Sequence, residues 1–232
     1  MITEVSVRPA LPVTRAPRHT LQDHVFRQLC ELILNGEIAP GQLITIQTLA
    51  DAFSVSAMPV REALQRLTAA RALTVISGRS IGIPPLTRER LLDLRRVRVE
   101  LESLAATWAT PNIVDAEIDR LHECIQNMEE AARSGDRKQY LRLNRTFHFA
   151  IYAAARSDSL FAIIENLWLQ ISPYFHLLQA SGNYFKANEQ HKLMLDAIRT
   201  RDGAAVSFGV RNDIDAAYQV LLSLLDAEGS TP

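Results

Sequence analysis

Residues 45–67 read TIQTLADAFSVSAMPVREALQRL, and the fold of the first half of the chain follows from how this stretch is divided. Thr45 is a capping residue, and the apolar Leu49, Ala50 and Phe53 after it lie on one side of a short helix. Ser54-Val55-Ser56 interrupts the pattern. Ser56 then caps a second, longer helix with Pro59 in its first turn, where a missing N–H costs nothing, and with Val60, Ala63, Leu64 and Leu67 as its buried stripe. Two helices across a tight turn, the second one longer, is the spacing of a helix-turn-helix.

Upstream, Thr20 and Asp23 resemble a capping box, and Leu21, Val25, Leu29, Leu32 and Ile33 recur at helical spacing until Asn35-Gly36 ends the run. Ala39-Pro40-Gly41-Gln42 has proline and glycine where a type II turn needs them. Downstream, the β-branched segments 73–76 and 81–83 flank Ser77-Gly78-Arg79-Ser80, which predicts a hairpin with an arginine at its tip, a wing. Pro84-Pro85 then favours an extended connector. Everything beyond reads as helix, with spans expected at 87–109, 112–133, 137–156, 159–180 with a bend at Pro173, 183–201 and 203–226. The fold class is therefore mostly α: an arm over 1–19, a winged helix-turn-helix over 20–84, a linker over 85–88 and an all-helical bundle over 88–228.

The 232 residues suffice for two cores, and the formal charge is −1. That charge is unevenly spread. Residues 1–88 hold nine arginines and no lysine against six acidic residues (+3), and residues 89–232 hold sixteen basic against twenty acidic (−4), so an acidic polymer would dock at the front. Cys30 and Cys124 sit in helix-patterned apolar segments of different halves and read as buried free thiols. The first twenty residues lack the apolar core of a signal peptide, and no stretch reaches the roughly 20 apolar residues of a spanning helix, so a cytoplasmic protein without a membrane partner is expected.

On the 57–70 helix the buried stripe leaves Ala57, Met58, Arg61, Glu62 and Gln65 facing outward. A helix in this position enters the major groove, where Arg61 suits a phosphate or guanine and Gln65 a base edge. Arg66, Arg71 and Arg79 would add phosphate contacts; the competing reading of each is an ordinary solvated arginine. One such module reads few base pairs, so the expected partner is a duplex operator with an inverted repeat, bound by a homodimer.

The run PGQLITIQTLADAFSVSAMPVREALQRL resembles the GntR family of bacterial regulators over residues 21–83, through VS..PVREAL above all. The resemblance carries DNA contact onto Arg61 and Gln65. It also carries contact onto Gln47, which stands where an arginine often reaches DNA, but not onto Ala57, where the family usually has arginine. RVRVELESLAA, NRTFHFAIY and EQHKLMLDAIRTRDG resemble the FCD ligand-sensing domain of the FadR subfamily over about residues 88–226. The resemblance implies a ligand-responsive transcription regulator, read as a repressor, that senses a small organic acid.

Residue spacing in this half is unusual in itself. Asn144 and His148 lie within the stripe Tyr140, Phe147, Ile151, Ala155; His191 shares a face with Ala187, Leu195 and Ile198; Asp213 shares one with Val206, Val210 and Ala217. Four polar groups on apolar faces need partners, and one divalent metal (zinc, nickel or manganese) would satisfy them together. The subfamily's site is similarly one Asp or Asn with three His; Asp213 falls where the last His usually sits. Alternatively each histidine is hydrogen-bonded within the core. His176 is a spare ligand, and His19, His24 and His122 are read as surface residues. Arg98, between Leu94 and Leu101, either pairs internally with Glu102 or Asp213 or holds the carboxylate of the effector. The main rival function is a metal-dependent hydrolase using His148, His191 and Asp213, against which stands the lack of any nucleophile motif or phosphate loop.

Overall fold

The computed structural model describes residues 21–78, 80–181 and 183–228. The expected 1–19 arm, the Thr20 cap and the wing-tip Arg79 lie outside the described residues. The chain runs α1 (Leu21–Leu34), α2 (Ile46–Phe53), α3 (Ala57–Ala69), β1 (Thr74–Ser77), β2 (Ser80–Gly82), α4 (Arg88–Ala109), α5 (Asp115–Ser134), α6 (Arg137–Ala153), α7 (Asp158–Ile171), a 3-10 segment (Ser172–Ser181), α8 (Asn183–Arg199) and α9 (Gly203–Glu228). This is a winged helix-turn-helix followed by an all-α bundle.

Thr45 caps α2 reciprocally with Thr48: each side-chain oxygen accepts the other's backbone N–H at 3.1 Å. Ser54 ends α2 in a left-handed conformation, φ 54°, and turns the chain into α3. Ser56 stands at the start of α3 as expected, but its side chain makes no capping hydrogen bond. Val25, Leu29 and Ile33 of α1 meet Val60, Leu64 and Leu67 of α3 in a core closed by Leu49, Leu73 and Ile83, all buried. β1 and β2 pair antiparallel, Val75 opposite Ile81. Ile44 bridges to Ile81 with N–H to carbonyl distances of 2.8 and 2.9 Å in both directions, which ties the root of α2 to the wing.

In the bundle α9 lies along α4 and α8, and α5 packs against α6 and α8. Three boundaries differ from the periodicity. α5 starts at Asp115, because Val114 is its N-cap and its N–H donates to Glu117 Oε2 at 2.9 Å. α6 stops at Ala153, and Arg156 beyond it takes φ 54°. The bent 159–180 helix is in fact two elements: α7 ends at Ile171, and a 3-10 turn runs on from Ser172, because Pro173 has no N–H to continue the α ladder. Cys30 is only half-buried, whereas Cys124 is buried with its Sγ 3.2 Å from the Leu143 carbonyl; burial pushes both thiols up to about 11.

The two halves meet through specific polar contacts. Arg90 of α4 donates from Nη2 to the carbonyl of Arg71, just past the end of α3, at 2.9 Å and to Gln170 Oε1 of α7 at 3.3 Å. The Tyr174 hydroxyl, in the 3-10 segment, donates to the carbonyl of Pro84. Arg145 of α6 donates to Glu31 of α1 at 2.7 Å.

Candidate functional sites in the two halves

Exposure on α3 alternates as the stripe demands: Pro59, Val60, Ala63, Leu64 and Leu67 are buried, whereas Ala57, Met58, Arg61 and Gln65 are exposed. At 100° per residue, Met58, Arg61 and Gln65 fall within one narrow outward arc. Arg61 and Gln65 make no hydrogen bond among the described residues, and Arg61 lines the cleft between the start of α2, the start of α3 and the wing, together with Gln47 and Gly78. The other basic groups are differently employed. Arg66 pairs with Asp23 at 3.1 Å, and its Cζ lies 3.6 Å from the centre of the Phe26 ring, so it fastens α3 to α1. Gln47 donates to Asp51 at 2.8 Å. Arg71 is exposed at φ 57°. The sequence holds no sign of the Arg66–Asp23 pair, whose partners are 43 residues apart.

In the bundle, α6, α8 and α9 bring His148, His191 and Asp213 together, with one ligand atom of each within 4.8 Å of the others. The two imidazoles face each other Nε2 to Nε2 at 3.2 Å; His148 Nε2 is 3.3 Å from Asp213 Oδ2, and His191 Nε2 is 3.7 Å from Asp213 Oδ1. Both histidines are buried. Burial drives the His191 pKa down to about 3, with His148 adding to the shift and Asp213 opposing it, so the ring is neutral. Burial would raise the Asp213 carboxyl, but the Arg98 charge is among the groups that outweigh it and hold it below its ordinary range. Asn144, one turn before His148, lines the same small cavity as Asp213, Arg98, Tyr140, Trp168 and Phe175. His176 stands apart with its Nδ1 on the Pro173 carbonyl, and His24 and His122 are exposed; His19 lies outside the described residues.

These atoms suit a cation. Ligand atoms about 2.1 Å from a common ion stand roughly 3.0–3.4 Å apart, close to the spacings found. The outer nitrogens decide which inner ones are bare. His191 Nδ1 faces the amide oxygen of Asn188 at 3.2 Å, and His148 Nδ1 faces the Tyr152 hydroxyl at 3.2 Å. With a proton on each outer nitrogen, two lone pairs and a carboxylate converge with no donor between them, and a divalent ion satisfies all three.

Arg98 is not a free guanidinium. Its Nε and Nη2 donate to Glu102 Oε1 and Oε2 at 2.6 and 3.1 Å, with the residues 2% and 0% exposed. Burial would lower its pKa, and the Glu102 charge, with Tyr218, overrides that and keeps it cationic. Of the two pairings open in the sequence, Glu102 is therefore the partner. Glu102 Oε2 also accepts from Tyr152 at 2.7 Å and Trp168 Nε1 at 3.1 Å. Sequence reasoning misses that convergence, although Asn144, His148 and Tyr152 at successive i, i+4 positions on one face of α6 are a visible signal.

Known proteins resemble both halves of the chain. Residues 21–83 match the family described as bacterial regulatory proteins, gntR family, and residues 93–216 match the FCD domain. The HTH-type transcriptional regulator McbR of Escherichia coli (strain K12) is 30% identical over 196 residues, which cover 83% of this chain and 89% of that protein. The gluconate operon transcriptional repressor of Bacillus subtilis (strain 168) is 23% identical over 189 residues, 79% of this chain and 77% of that protein. The solved structure of E. coli McbR/YncC superposes with a TM-score of 0.79 at 27% identity, covering 91% of this chain and 100% of that one. These relatives are regulators, which leaves the hydrolase reading of His148, His191 and Asp213 without support. No helix among the described residues is long and apolar enough to cross a membrane. The chain belongs to the GntR family: it is a ligand-responsive, sequence-specific DNA-binding transcription regulator with a winged helix-turn-helix and an FCD sensing domain.

Proposed function

We propose that this regulator is a repressor whose FCD domain holds one divalent metal (zinc, nickel or manganese) on Asn144, His148, His191 and Asp213, and that a small organic acid is its effector. The observation that carries the reading is the convergence of two imidazole Nε2 atoms and an ionised carboxylate in a buried cluster at the edge of a cavity. A metal held by these residues would supply a Lewis acid able to anchor an effector carboxylate. Because Glu102 occupies one edge of the Arg98 guanidinium, through Nε and Nη2, Arg98 contributes positive potential and its remaining N–H groups to that carboxylate.

At the other end, residues 20–84 place α3 in the major groove of an inverted-repeat operator. Arg61 and Gln65 contact bases, Gln47 and Arg71 with the wing-tip Arg79 contact phosphates, and Arg66 acts mainly by holding α3 on α1. A homodimer in the cytoplasm supplies the two half-sites, with residues 88–228 as its sensing and dimerising part across the 85–88 linker. The repressor sign is supported by the similarity to the gluconate operon repressor of Bacillus subtilis. Elemental analysis of untagged protein, followed by titration with Zn²⁺, Ni²⁺ and Mn²⁺, tests the site. His148→Ala and His191→Ala are expected each to lose the metal, and a chain that binds none of the three ions at micromolar concentration overturns the proposal.

A further inference from the structure

Glu102 is fully buried, yet four hydrogen bonds reach its two oxygens: Arg98 Nε at 2.6 Å, Arg98 Nη2 at 3.1 Å, Tyr152 Oη at 2.7 Å and Trp168 Nε1 at 3.1 Å. A structural counter-ion for Arg98 needs only the first two. The Tyr152 bond is the informative one, because a phenol has a single proton to give. A phenol keeps its proton at neutral pH, and with the Glu102 carboxylate oxygen 2.7 Å away that proton points at Glu102. Toward any other neighbour the hydroxyl is an acceptor. The neighbour is His148 Nδ1, 3.2 Å away.

We infer that Glu102 and Tyr152 are positioning residues for the metal site: Glu102 takes the proton of Tyr152, Tyr152 takes the Nδ1 proton of His148, and His148 is held with its Nε2 lone pair toward His191 and Asp213. The alternative tautomer, with the proton on Nε2 and donated to Asp213 at 3.3 Å, would set the bare Nδ1 lone pair against the bare Tyr152 oxygen lone pair at 3.2 Å in a dry interior. The neutral histidine side chain in water favours the Nε2–H form, so the protein must impose the other. A carboxylate acting through one intermediate on a ligating histidine is a known device for fixing tautomer and ring orientation. Here the intermediate is a tyrosine, on the same face of α6 and one turn beyond the histidine.

The assignment of Glu102 and Tyr152 rests on the metal reading for its purpose but not for the tautomer, and the experiment separates the two. Two-bond ¹H–¹⁵N spectra of the metal-free protein at pH 8, where an imidazole is neutral, are expected to show His148 protonated at Nδ1, and in Tyr152→Phe to show a shift toward Nε2–H. Titration of both proteins with Zn²⁺ is expected to give about 10- to 100-fold weaker binding for Tyr152→Phe, with helical circular dichroism unchanged. His148 found as Nε2–H in the unmutated protein overturns the inference even if the variant fails to fold. Equal zinc affinity and an unshifted tautomer in a folded Tyr152→Phe also overturn it. If the unmutated protein shows Nδ1–H but binds no zinc, the hydrogen-bond relay stands and the metal reading is what fails.

Discussion

Replacing Arg98 with methionine distinguishes a structural guanidinium from a ligand-holding one. The side chains of Arg98 and Glu102 are 3% and 0% exposed, with N to O distances of 2.6 and 3.1 Å. Methionine keeps most of the volume, so little cavity is created; what is lost is the only charged partner, among the described residues, of a carboxylate without access to water. Removing one member of such a pair costs about 3–5 kcal/mol, and the neutral bonds from Tyr152 and Trp168 offset only part of the charge. For a chain of this length each kcal/mol lowers the midpoint by roughly 2–4 °C, so Arg98→Met should melt roughly 6–20 °C below the parent. Adding Glu102→Gln to the same variant should recover a good part of that loss, since an amide oxygen still accepts from Tyr152 and carries no charge. Urea and thermal unfolding of the metal-free proteins measure both. Stability of Arg98→Met within 1 kcal/mol of the parent would refute the argument and return Arg98 to the role of a free effector clamp.

Other outcomes are expected from the same geometry. Arg61→Ala should lose specific operator binding in a mobility-shift assay while its melting curve is unchanged, because the side chain is exposed and unpartnered among the described residues. Met58, 59% exposed in the same outward arc, is expected to favour thymine at one operator position through the C5-methyl; an operator with uracil at that position should bind the parent more weakly and Met58→Ala no differently. In the metal-free protein the neutral, buried His191 has a pKa near 3 when folded, against about 6.5 unfolded, so the unfolded chain takes the proton first. Stability is therefore complete above about pH 6.5 and falls as pH drops, by about 1.4 kcal/mol per unit from this residue at most; urea midpoints at pH 7 and pH 5 should show a loss that His191→Gln reduces. Tyr174→Phe should weaken the effect of effector on operator binding, read by titrating one in the presence of the other.

The parts of this protein that the sequence makes legible are those governed by local periodicity and capping. Thr45 and the stripe Val60, Ala63, Leu64, Leu67 place α2 and α3, and Asn144, His148, His191 and Asp213 announce themselves by standing on apolar faces. What the sequence conceals depends on chain segments far apart. Arg66 looks like its exposed neighbours until Asp23 and Phe26 are brought beneath it. Tyr152 and Trp168 look like ordinary core aromatics, since nothing in their spacing shows that both point at Glu102. Pro173 is plain in the sequence, but whether a proline bends a helix or ends it depends on the backbone geometry of the residues after it, and here a 3-10 turn takes over.

That 3-10 segment has a thermodynamic consequence. It supplies Phe175 and Leu178 to the wall of a cavity of only about 30 Å³, room for about two waters by the same measure, and through Tyr174 it also holds the linker at Pro84. On the proposed reading, an organic acid of a few heavy atoms exceeds that space and enters by moving a wall that is fastened to the DNA-reading half, so the work of moving it would enter both equilibria. Linkage makes the exchange symmetrical: whatever factor the effector applies to operator affinity, the operator applies to effector affinity, so the protein on DNA and the protein free in solution respond to different concentrations of the same signal.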